Sequence, residues 1–323
     1  MFVDVRPPRR ATARALAFAT SFCTLLLIGP VPPAAADSTT LTILYNGAVR
    51  AEIDDCGCPS RPLGGLARRA DVIRGIRSER PDALLLDAGS LFGDPTRDTL
   101  EQSRFVAAET ATMGYEIVGI GPYELGHGVD AVGRVAASTG LDFVSANVQR
   151  GGDLVFDPYS VVERDGVRIA VTSVVDPAYL DASYVVKAGN VEAVDPATAM
   201  RTWLPEMDAK ADVVVILTSL KRSNSLALLR ELHQGGFQQM DLIVDGILDN
   251  ALPRPRQFGP TRIVAANSQG KFVGRIDLEI EDGEVVDAEN TIHYLDLDLP
   301  EAADVAARIE DFRESSGTVA GGR

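Results

Sequence analysis

From residue 40 to residue 246 the chain repeats one hydrophobic pattern. A short β-branched or leucine-rich run is followed by a longer stretch with apolar side chains every third or fourth position. The runs "LTILYN", "DALLLDAG", "YEIVGIG", "LDFVSANV", "VRIAVTSVV", "DVVVILT" and "MDLIVDG" are apolar at successive positions, as expected of strands buried on both faces. Between them, "GGLARRADVIRGIRSE", "TLEQSRFVAAETATMG", "GVDAVGRVAAS", "PATAMRTWLPEMDA" and "SLALLRELHQ" carry the helical period. The period then changes to two. "GKFVGRIDLEIEDGEVVDAEN" alternates strictly around Asp282-Gly283, which predicts a hairpin. "PEAADVAARIEDFRESS" predicts one amphipathic helix, and "GTVAGGR" a loose tail. βα units followed by an antiparallel section give an α/β sandwich, with facing sheets and helices outside. In such folds chemistry collects on the loops at strand C-termini.

Residues 1–36 fall outside the pattern. Arg6, Arg9, Arg10 and Arg14 make a basic start, "ALAFATSFCTLLLIG" an apolar middle, and "PPAAA" ends in small residues at Ala36. This order predicts a signal peptide and a periplasmic or secreted protein. Pro30, Pro32 and Pro33 interrupt the apolar run too soon for a spanning helix. The rest is long enough for one large domain, placed at 37–299, with a helix and flexible tail over 300–323. The chain's formal charge is −15; removing four arginines and one aspartate with the leader takes the remainder to −18. Such acidity argues against nucleic acid and, after signal cleavage, against membrane surfaces as partners.

Taken in order, the strand-end segments "LTILYNGAVRA", "GGLARRADVI", "LLLDAGSLFGD", "VGIGPYELGHG", "VSANV", "VVVILTSLK" and "DLIVDGILDN" resemble one family. It is the secreted 5′-nucleotidase and UDP-sugar hydrolase type of calcineurin-like metallophosphatases, and "NSQGKFVGRIDLEI" matches its closing hairpin. The likeness covers roughly residues 40–293 and implies a metallophosphatase-type four-layer α-β-β-α sandwich. The family's chemistry uses two divalent cations that clamp phosphate oxygens and activate a bridging water. Carried over position by position, its ligands fall on Gly47, Val49, Ser90, Pro122, Tyr123, Ser219, Ile247 and Asp249. Only Asp249 retains a metal donor, and one carboxylate does not assemble a dinuclear site. Of the three histidines, His233 and His293 lie outside these loops, and His127 alone sits near them. No nucleoside-gripping domain of the nucleotidase type is expected from the residues that follow the hairpin. The resemblance therefore implies the scaffold without its hydrolysis.

Past the leader, the only cysteines are Cys56 and Cys58 in "DDCGCP", and three readings of them stay open. As a staple, a bridge over one residue closes so little chain that it contributes only about 1.6 kcal/mol. Its Cα separation is expected near the upper end of disulfide geometry, with Gly57 easing the backbone. As a redox dithiol, an exposed pair in an oxidising compartment exchanges readily. Arg61, Arg68 and Arg69 would favour its thiolate, and Asp54 and Asp55 would oppose it. The wider "DDCGCPSRPLGGLARRA" also resembles the UshA-like (seleno)proteins, which implies sulfur or selenium chemistry in place of metal chemistry. As metal ligands, the thiolates would select zinc or copper(I), with His127 or Asp249 in support.

The remaining candidates are weaker. Glu124 reads as a cleft carboxylate or a loop brace, His127 as a helix-start or surface residue. Lys221 with Arg222 reads as an anion holder or a solvated loop. Asp87 and Asn147 read as strand-end hydrogen bonders. The expectation is an exported protein that has lost dinuclear catalysis and uses Cys56 and Cys58 for thiol chemistry or partner contact. Its partner would be an exported protein or a small-molecule thiol or disulfide, and no cofactor is expected beyond the zinc or copper(I) alternative. An active metal-dependent phosphoesterase with a non-standard site and a non-catalytic binding module are the competing classes.

Overall fold

The computed structural model describes residues 38–182, 189–221, 224–247, 251–265 and 269–317. Residues 1–37, Arg222, Asp249 and the last six residues lie outside them, so the expected signal peptide and the Arg222 and Asp249 candidates are not described. Four apolar runs form β1 (Thr39–Asn46), β2 (Leu84–Asp87), β3 (Ile117–Gly119) and β4 (Asp142–Val144), parallel neighbours in one sheet. The hairpin of β14 (Phe272–Glu281) and β15 (Glu284–Tyr294) adds to it antiparallel, in the order β15-β14-β1-β2-β3-β4. Tyr45 pairs with Gly274 across β1 and β14, and its ring fills the space a Cβ there would need.

The second sheet runs β12-β13-β11-β10-β8-β7. Its strands are β7 (Tyr159–Arg164), β8 (Val167–Val175), β10 (Val213–Ser219), β11 (Leu242–Asp245), β12 (Arg256–Phe258) and β13 (Thr261–Ala265). The inner four are parallel, and β7 and β12 are antiparallel edges. A small sheet of β5 (Val148–Arg150), β6 (Asp153–Leu154) and β9 (Val191–Ala193) lies apart.

Strand parity sorts the core into three layers. Ile43, Tyr45, Leu84 and Leu86 meet Val213, Val215, Leu217 and Val244 between the sheets. The alternate residues Leu44 and Leu85 pack under α1 (Leu66–Glu79), α2 (Leu100–Thr112), α4 (Val129–Thr139) and α8 (Ala303–Ser316). On the far side Val214, Ile216 and Ile243 meet α6 (Pro196–Lys210) and α7 (Asn224–Gln234). The result is the expected four-layer α-β-β-α sandwich. Two six-residue helices, α3 (Pro122–His127) and α5 (Pro177–Ala182), sit at strand ends.

Candidate functional site

The C-terminal ends of β1, β2, β3, β10 and β11 deliver the positions singled out above to one mouth. There backbone meets backbone: a Cβ on Gly47 would lie 2.6 Å from the Cα of Gly246, and one on Gly89 2.9 Å from Ser219 Oγ. Ser219 Oγ donates to Ala88 O at 3.1 Å. Residues after β1 are laid along those after β2, with Ala48, Arg50 and Ala51 N–H donating to Gly89, Ser90 and Leu91 carbonyls, each at 2.8 Å. Ala48, Arg50 and Ala51 have φ of 47°, 59° and 52°, and Ser90 has 57°, so both segments hold left-handed conformations that L-residues resist.

Glu124 braces this arrangement. Its Oε2 accepts from Ser90 N at 2.8 Å and Gly121 N at 2.9 Å, and its Oε1 from Phe92 N at 2.8 Å. Burial pushes its pKa up against those three donors. These bonds tie the loop after β2 to the start of α3. His127 ends α3 instead of starting a helix. Its Nε2 lies 3.0 Å from Gly93 O and its ring packs edge-on to Phe92, while burial lowers its pKa.

Above the mouth the side chains are aromatic and cationic. The Arg50 guanidinium lies 5.5 Å from the Tyr123 ring centre, and Lys221 Nζ 5.5 Å from that of Tyr179. Burial, then Asp176, Asp245 and Tyr123, raise the pKa of Tyr179 against the pull of Arg50, which groups these residues on one rim. Lys221 is thus engaged with an aromatic ring, and its backbone N–H with Asp176 Oδ2 at 3.2 Å.

Beneath the mouth is a buried polar cluster that the sequence reading did not assemble. Tyr115 Oη donates to Asn46 Oδ1, and Asn46 Nδ2 to Phe272 O. Asp87 Oδ1 accepts from Gly89 N at 2.9 Å, and Arg69 Nη2 donates to Thr110 Oγ1 at 3.1 Å. Burial, reinforced by the Glu124 charge and opposed by Gly89 N–H and Arg69, pushes Asp87 up to about 7. Arg69 lies on the helix face of Leu66, Ile73 and Ile76, all buried. A basic residue on an apolar stripe was the available signal.

The cysteine loop has its own set of contacts. Cys56 and Cys58 are joined by a disulfide with a Cα separation of 5.3 Å. That is well inside the usual span of about 4.4–6.8 Å, not near its upper end. The reason is Gly57, whose φ of 59° folds the tripeptide and whose N–H reaches Asp55 Oδ1 at 2.8 Å. Cys56 N donates to Leu63 O at 2.9 Å, Asp55 bridges Gly64, and Leu63 bridges Asp296 after β15. Asp54 pairs with Arg313 of α8. The loop therefore leans on the hairpin and the terminal helix. The three arginines credited with favouring a thiolate are engaged elsewhere. Arg61 is bidentate on Asp296 at 2.7 and 2.8 Å, Arg68 meets Glu301 at 2.8 Å, and Arg69 is buried.

Paired hard cations require converging carboxylates and imidazoles. At the mouth Glu124 is committed to three backbone N–H groups, and Asp176 to Lys221 N–H, Asn224 and Ala178 N–H. The carried-over positions offer hydroxyls, a phenol and carbonyls. Among the described residues no group of three or more His, Cys, Asp or Glu side chains is placed to hold a metal ion. These residues do not fit a dinuclear centre.

No family model matches the chain. A Bos taurus 5′-nucleotidase is 24% identical over 323 residues, covering 90% of this chain and 55% of that protein. A Vibrio parahaemolyticus 5′-nucleotidase is 25% identical over 255 residues, covering 68% and 45%. The Thermus thermophilus 5′-nucleotidase precursor superposes with a TM-score of 0.74 at 20% identity, over 86% of this chain and 59% of that one. The calcineurin-like phosphoesterase YfkN of Bacillus subtilis superposes at 0.72 and 20% identity, over 86% and 98%. The chain is 5′-nucleotidase-like and has the calcineurin-like phosphoesterase fold. It spans about half the length of the curated 5′-nucleotidases it matches. Within the 5′-nucleotidase-like fold, the mouth at the strand ends is where Gly47, Ser90, Tyr123 and Ser219 lie.

Proposed function

We propose that this chain is an exported protein of the 5′-nucleotidase-like fold that does not hydrolyse phosphate esters with paired cations. Its working group is the Cys56–Cys58 pair, cycling as a reversible disulfide. The observation that carries the reading is that Gly47, Val49, Ser90, Tyr123 and Ser219 at the strand ends carry no carboxylate or imidazole, while the two post-leader cysteines lie half-buried in a surface loop. The basic-apolar-small order of residues 1–36 supports export to an oxidising compartment.

The exchange is written with a dithiol partner. A partner thiolate attacks one sulfur of the pair, breaking the Cys56–Cys58 bond and forming a mixed disulfide. The partner's second thiol then displaces the remaining cysteine. Two electrons and two protons reach Cys56 and Cys58, and the partner leaves as a disulfide.

Two measurements on one purified sample test this. Equilibration with graded glutathione couples should release two thiols at a defined potential. Hydrolysis of an aryl phosphate should be undetectable with manganese, zinc or magnesium. A bridge that no glutathione ratio opens overturns the redox role. Turnover that survives Cys56→Ser with Cys58→Ser overturns the loss of hydrolysis.

A further inference from the structure

A cavity also opens away from the mouth. On the outer face of the second sheet, α7 and edge strand β12 stand apart and leave a cavity of about 420 Å³. This lies within the range of about 300–1,000 Å³ typical of small-molecule sites. α7 turns Leu226, Arg230 and His233 to one side, at i, i+4 and i+7. β12 answers with Arg256 and Phe258, two residues apart and so on one face. Arg256 is the cross-strand partner of Ile263, whose buried side chain belongs to the core under α7. The ring of Phe258 meets that of His233 at 5.0 Å and closes one end of the groove. Leu252 covers another side, its carbonyl pinned by Asn290 Nδ2 at 2.8 Å.

The walls are therefore Leu226, Leu252, Phe258 and Ile263, with Arg230 and Arg256 at the rim. Charge decides what fits. Arg61, Arg68, Arg74, Arg164, Arg168, Arg201, Arg308 and Arg313 each have a carboxylate partner. In a chain of net charge −15 that is what abundance of acids predicts. Among the described residues Arg230 and Arg256 have neither a salt bridge nor a hydrogen-bond partner, and both line the same cavity. Among the described residues lining the cavity the carboxylate is Asp245, whose oxygens accept from Ser225 Oγ at 2.8 Å and Ile247 N at 3.1 Å. A ligand's anionic head is thus drawn to the arginine rim and its body to the apolar walls.

We infer that the α7–β12 groove binds a small carboxylate with an apolar body, of medium-chain alkyl size, its head on Arg230 and Arg256. The guanidinium fork matches a carboxylate, and the wall residues match a chain. Nothing here depends on the redox reading, because the cysteine loop lies on the hairpin and α8.

Calorimetric titration of the purified protein with octanoate tests the site, with acetate and 1-octanol as the comparison probes. One saturating site is expected for octanoate. Arg230→Gln with Arg256→Gln should weaken it by about tenfold, the size of a lost charge-assisted contact, and Leu226→Asn should weaken it as well. Both arginines are exposed, so the double variant should unfold at the parent's temperature and report binding alone. The chain with both cysteines changed to serine should bind octanoate like the parent. The inference is overturned if acetate binds as well as octanoate, if 1-octanol does, or if the arginine pair can be removed without loss.

Discussion

Asp87 is a carboxyl group placed where its charge is costly. Unfolded, it releases its proton near the ordinary 3.8; folded, burial holds that proton to about 7. Between those values the native state binds the extra proton, so Asp87 makes stability fall as pH rises. Asp87→Asn should remove that slope, worth roughly 1.4 kcal/mol per pH unit, and gain on the parent at pH 8 relative to pH 5. Urea midpoints at the two pH values read this directly, and parallel curves for the two proteins would count against it. Burial raises the pKa of Glu124 as well, but its carboxyl is held by more donors. Its two oxygens accept three backbone N–H groups, and Glu124→Gln would turn an amide donor toward one set of them. A loss of about 1–3 kcal/mol is expected, with unchanged disulfide exchange.

At the scale of elements, the cysteine loop depends on what it leans on. α8 is fixed to the body by Phe312 stacked 4.4 Å from Phe105, by Arg308 on Glu109 at 2.6 Å and by Arg74 on Asp304 at 2.6 Å. Arg313 extends this hold to Asp54, two residues before Cys56. Arg313→Ala removes an ion pair of the kind worth up to about 1 kcal/mol, so global unfolding should barely change. Reduction of the disulfide by glutathione should nevertheless quicken, because the loop loses its tie to α8. Gly57 acts from within the loop. A Cβ there meets nothing within 4 Å, and only its φ of 59° resists substitution. Gly57→Ala should cost about 1 kcal/mol in the closed form and less in the open one. The bridge should become easier to reduce by up to about fivefold, measured against the same glutathione couples.

At the scale of the molecule, two sheets close on each other through glycine. Gly47 from the first and Gly246 from the second stand so near that a Cβ on the former would be 2.6 Å from a backbone carbon. Backbone cannot rotate aside as a side chain can. Gly47→Ala should therefore cost about 1–3 kcal/mol, seen as a lower thermal midpoint. Gly47→Asp should be no better tolerated and should recruit no manganese by elemental analysis.

How much of this was legible depended on range. The seven apolar runs could be read as strands because two-sided burial writes itself into consecutive residues. The short strands β5, β6, β9 and β12 could not, since their half-exposed patterns carry no period. Helices α3 and α5, at six residues each, are too short to show one. Cys56, Cys58 and Glu124 stood out as motif members. The contacts of Arg50 with Tyr123 and of Lys221 with Tyr179 did not, because each pair comes from loops of different strands.

The sequence by itself determined the layers, since strand parity is a local property. Only the tertiary structure decided that Asp87 and Arg69 share a buried cluster and that the cysteine loop rests on α8. It alone left two arginines facing one groove. Those outcomes follow from which distant loops the two sheets bring together, and no spacing along the chain encodes that.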